Sequence, residues 1–235
     1  MEGRLSWQVA EDEPSDLHLV LFVRDACRLV LDGPGSPGPL TPEIPDLSDL
    51  VDASSRALVA AAWPAWWDAA VNAHRTHTRP LPDDAPIAAH QQQLRLRHAA
   101  GDGPEFASLA HVPQLQRAAR GAFDPFNRWW SLPLPSADPL ARHRRRPRAS
   151  LGLPGVQGQL IDLHRGRHTV RTVIGRIERE LGRKAVPFDL SIDILAVTGP
   201  AVVVRETHYA VLTTSTVADA DTYADWLYTT LSPLA

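Results

Sequence analysis

The chain has a single cysteine, Cys27, and a single lysine, Lys184, among 24 basic residues. One cysteine excludes an internal disulfide framework and any CxxC-type metal or redox motif. Free cysteine is among the most buried residue types, so Cys27 is expected to be a packed thiol. Long hydrophobic runs are also missing. The longest near-apolar stretch, Ala57 to Trp67, is interrupted by Pro64 and falls short of the roughly 18 residues a spanning helix needs. The first residues, Met-Glu-Gly-Arg-Leu-Ser-Trp, hold no apolar core for a signal peptide. A cytoplasmic protein without a membrane segment is the resulting expectation.

Several signature motifs are absent too. No GxxxxGK[ST] phosphate loop, GxGxxG turn, HExxH or GxSxG elbow occurs. The glycines of Gly152 to Gly158 could present backbone N–H groups to an anion, but no phosphate-gripping lysine follows them. These absences favour a non-enzymatic role.

What is present begins with proline, 21 of 235 residues, which is nearly twice the average frequency and must be accommodated somewhere. Much of it is concentrated at two places. Pro34, Pro37, Pro39, Pro42 and Pro45 mark a connector over 33–45, and Pro133, Pro135, Pro139, Pro147 and Pro154 mark a flexible Pro/Arg-rich loop over 131–158. Charge is also uneven. The first fifty residues hold 10 acidic groups against 3 basic ones, whereas residues 101–150 hold 8 basic against 4 acidic, so a net charge of -3 conceals acidic ends and a basic middle.

Hydrophobic periodicity fills in the elements. Leu5, Trp7 and Val9 alternate with polar residues, and Leu17 to Val23 is a short, mostly apolar run after an acidic loop, which together predict an antiparallel strand pair within 1–32. A helical block is expected over about 46–130, with Asp46 or Ser48 as a cap, a kink at Pro64, a second segment over 87–99 and a third beginning near Pro104 with a break at Pro113. Residues 159–235 read as helix, strand, strand, helix. Val170, Val173, Ile174, Ile177 and Leu181 mark the first helix. Phe188 to Ile194 alternates with Asp189, Ser191 and Asp193. Val202 to Ser215 reads as one long strand, and Asp219 or Asp221 caps the last helix. The predicted fold is a single α+β domain, 1–235, with an antiparallel sheet built from the N-terminal and C-terminal strand pairs.

Three groups of residues are candidates for function. Trp63, Trp66, Trp67, Trp129 and Trp130 form an aromatic cluster in the helical block, readable as core anchors among alanines or as an interaction surface. With Arg144, Arg145 and Arg146 of the loop they make up the expected binding surface for a protein partner, a second copy of the chain included. The second group follows from a Gly199-Pro200 turn, which would pair residues whose numbers total 399. Asp193 would then oppose Glu206 and Ser191 would oppose His208, and a divalent metal among Asp193, Glu206 and His208 would support hydrolase or lyase chemistry. The alternative is the solvent face of an amphipathic hairpin. Third, the arginines of the loop and of the helix over 165–184 could neutralise phosphates, although a pI near 6.3 weighs against a dedicated nucleic-acid binder. The pairs His74/His77 and His164/His168 read as surface histidines.

Overall fold

The computed structural model describes residues 7–31, 36–78, 109–130, 163–199, 202–205 and 208–235. The connection after α2, the predicted segment 87–99 and the loop 131–158 lie outside them. In chain order the elements are β1 (Trp7–Asp12), α1 (Ser15–Ala26), α2 (Arg56–Thr78), α3 (Pro113–Trp130), α4 (Leu163–Leu181), β2 (Phe188–Leu195), β3 (Val202–Arg205), β4 (Tyr209–Thr213), α5 (Thr214–Ala218) and α6 (Ala220–Leu231).

The sheet corrects the predicted topology. Its order is β1-β2-β4-β3, with β1, β2 and β4 parallel and only β3 antiparallel, against β4. The N-terminal pair does not exist, because Leu17 to Val23 forms the middle of α1 and every one of these residues is buried. A helix covered on all sides has no polar stripe to reveal a 3.6-residue period, so it reads like a buried strand. The expected long strand Val202 to Ser215 is two strands joined at 206–208, and β4 lies between β2 and β3.

Parallel strands need cover on both faces, and two apolar layers provide it. On one face Leu195, Val197, Tyr209 and Val211 pack with α1, α2 and α3. On the other, Leu190, Ile192, Ile194 and Leu212 pack with Val170, Val173, Ile174 and Ile177 of α4 and Tyr223, Leu227 and Leu231 of α6. The alternation predicted for β2 holds only at Asp189, since Ser191 and Asp193 are buried under the helical layer.

Local signals explain the helix ends. Pro113 opens α3 instead of breaking a helix, a position where its missing N–H costs nothing. Pro64 lies within a continuous α2. Asp46 precedes and Ser48 opens only a 3-10 turn, Ser48–Leu50, and α2 starts later, at Arg56. The Arg56 guanidinium donates to the carbonyls of Cys27, Ser48 and Val51, tying that turn to the end of α1. Asp219 caps α6 as expected, its carboxylate accepting the Thr222 N–H at 2.8 Å. Gly182, with φ 64°, ends α4 in the left-handed conformation that glycine adopts without strain. Cys27 is buried, and burial pushes its thiol pKa up to about 11.

Candidate functional site

The tryptophans are core residues. Trp63, Trp66, Trp67 and Trp129 are each at most 7% exposed, and Trp130 is half-buried. Trp63 donates its indole N–H to the Val20 carbonyl at 2.9 Å and stacks on Trp67 with centroids 5.9 Å apart. Trp129 donates to the Pro42 carbonyl at 3.3 Å. An alanine-rich helix leaves wide gaps against its neighbours, and large rings fill them. The expected aromatic docking surface is therefore internal. Arg144, Arg145 and Arg146 lie outside the described residues.

The carboxylate and imidazole set is also arranged differently. β2 pairs with β4 and not with β3, so the register that would oppose Asp193 to Glu206 is not formed, and Glu206 lies outside the described residues. His208 is exposed just before β4. Its Nδ1 lies 2.9 Å from the Asp189 carbonyl, and its own carbonyl accepts the Ser191 N–H. Asp193 sits further along β2, level with Val211, and is 1% exposed. Among the described residues no three His, Cys, Asp or Glu side chains come together as a metal-binding group.

Asp193 instead joins a polar cluster that sequence reasoning missed. The Tyr209 hydroxyl donates to Asp193 Oδ2 at 2.5 Å. Burial first, and then the Asp193 carboxylate, hold the Tyr209 hydroxyl protonated far above its ordinary range. Asp16 in the first turn of α1 adds to this effect and Arg75 near the end of α2 opposes it. Charges on α1, α2 and β2 thus act on this one phenol of β4, with Asp193 in direct contact. Asp12 occupies the register position beside Asp193 on the same face of the sheet. The two carboxylates have different surroundings: Asp12 is exposed and accepts the Glu13 N–H, while Asp193 is buried with its tyrosine donor. Like charges on adjacent strands are thereby separated in environment.

His18 is the second missed group. It is fully buried, Nδ1 lies 2.7 Å from the Pro14 carbonyl, and Nε2 accepts the Ala196 N–H at 2.9 Å. These partners require a neutral ring with its proton on Nδ1, and burial lowers the pKa to about 4. The ring packs on Trp130 with centroids 4.4 Å apart. A histidine inside an apolar run was the available signal, but its distant partner Ala196 was not readable from it.

The open feature is the edge strand β1. Trp7, Val9 and Glu11 face the α4/α6 layer, where Trp7 stacks on Phe188 and Glu11 accepts the Tyr223 hydroxyl. Gln8, Ala10 and Asp12 face the opposite side and are exposed. β1 pairs with β2 through six consecutive positions without irregularity, and no described residue pairs with its outer edge. The other edge, β3, has four residues and a register shift between Val202 and Val204. A bulged, short edge resists pairing, whereas a regular one invites it.

No protein-family model, curated protein or solved structure matches the chain.

Proposed function

We propose that this chain is a non-enzymatic, cytoplasmic binding protein that takes up another polypeptide along the outer edge of β1. The carrying observation is the regular six-residue edge whose Gln8, Ala10 and Asp12 face is exposed. An extended segment added there gains main-chain hydrogen bonds along the strand and side-chain contacts on alternate positions. The groups best suited to chemistry support this reading by their engagement elsewhere. His18 uses both ring nitrogens internally, and Asp193 is buried against Tyr209. The partner-binding role first assigned to the tryptophans thus passes to β1.

A photo-crosslinking residue at Gln8, compared with one at the exposed Asp68 on α2, tests the proposal in the native cell. Polypeptide adducts are expected from position 8 in excess over position 68. Equal or absent adducts at position 8 would sink it.

A further inference from the structure

Building on that reading of β1, we infer that the occupant of the β1 edge is a second copy of this chain, joined antiparallel about a two-fold axis through Ala10 to give one continuous eight-stranded sheet. The edge residues are self-complementary in that register. In an antiparallel pair, directly opposed side chains share a face. A two-fold axis perpendicular to the sheet therefore sets Gln8, Ala10 and Asp12 against the same set in the second copy. Centring on Ala10 places each Gln8 opposite Asp12 of the other copy, so an amide donor meets a carboxylate twice. Asp12 is exposed and its Oδ1 accepts the Glu13 N–H, so Oδ2 is the acceptor for the Gln8 amide in this register.

On the packed face Val9 meets the stem of Glu11, whose carboxylate is held by Tyr223. No like charges are opposed, although the strand carries two acidic residues in six. Ala10 is exposed and has the smallest side chain of the open face, so two copies can meet on the axis without a clash. A Val9-centred register is inferior because it sets Gln8 against Ala10 and gives up both Gln8–Asp12 pairs. The second sheet edge offers no equivalent, since β3 is short and irregular.

Cysteine scanning tests both association and register. Opposed Cβ atoms lie about 4.5–5.5 Å apart in such pairs, close enough for an Ala10→Cys protein to form an intermolecular disulfide on mild oxidation. Cys27 is buried and does not compete. The full-length Ala10→Cys protein is expected to cross-link at least tenfold faster than Asp68→Cys or Val9→Cys. The unmodified protein is expected to sediment as a dimer, and Ala10→Glu, which sets two carboxylates on the axis, to raise the dissociation constant at least tenfold. Faster cross-linking of Val9→Cys, or a chain that stays monomeric at high micromolar concentration, overturns the inference. A monomer that still captures a foreign polypeptide at Gln8 overturns self-pairing and leaves the open-edge reading intact.

Discussion

The two faces of the sheet are held by different means. Against α4 and α6 the contact is mainly aliphatic and aromatic, with a polar tie from the Tyr223 hydroxyl to Glu11, and the ionic contacts, Arg176 with Glu180 and Lys184 with Glu178, are solvent-facing. Against α1, α2 and α3 the interior carries polar ties as well. His18 joins α1 to the end of β2, Trp63 joins α2 to α1, and Tyr209 joins β4 to Asp193. Arg24 is 5% exposed and lies 5.4 Å from the Trp63 ring centre. It binds Asp25 and donates to Ser36 and to the carbonyls of Pro37 and Gly38. Apolar burial is indifferent to register, whereas a buried donor with one acceptor is not. The layer of α1, α2 and α3 is therefore positioned by named contacts. The α4/α6 layer is positioned chiefly by shape, with the Tyr223–Glu11 tie at its β1 end.

If that distinction is right, its largest consequence falls on Arg24. Replacing it by Met takes the donor from the Pro37 and Gly38 carbonyls and the cation from Asp25, which keeps only the Leu40 N–H, and urea unfolding should show a loss of about 3–5 kcal/mol. A loss below about 1 kcal/mol would mean the connector 36–40 is held by packing alone.

The His18 tie should appear as a pH dependence. Its folded pKa of about 4 lies below the unfolded value of 6.5, so between these values the unfolded chain binds a proton that the folded chain does not. The contribution is complete above pH 6.5 and is lost as pH falls toward 4, amounting to about 3 kcal/mol. His18→Gln should flatten that part of the stability profile, and an unchanged slope would place the acid sensitivity elsewhere.

A smaller effect is expected at Tyr209. Tyr209→Phe removes one donor from a buried carboxylate and should cost about 1–3 kcal/mol in thermal or urea unfolding. The same measurement on Glu180→Gln, at the exposed rim of the other layer, should show no change in melting temperature. Equal effects at the two sites would erase the difference between the faces.

How much of this was legible in the sequence depends on how far each residue must reach. The helix from Val170 to Ile177, the Asp219 cap and the buried Cys27 were readable because their determinants lie within a few positions. α1 was misread because a fully covered helix has no polar face to set its period. The hairpin register failed because β4 enters between β2 and β3, and no local signal in 186–215 records that insertion. The Tyr209 cluster draws on α1, α2, β2 and β4, so it exists only once the chain is folded. The tryptophans were visible as a cluster, but whether they face inward depends on the two helices beside α2.

The sheet order also sets a sequence of events during synthesis. Of the described strands β1 is made before the others, yet its sheet partner is β2, with Trp7 beside Phe188, so it must wait while the intervening residues are added. Closing so long a loop adds little to the equilibrium cost but slows assembly. Until β2 arrives, both edges of β1 are unpaired, so the strand spends most of synthesis without its sheet partner.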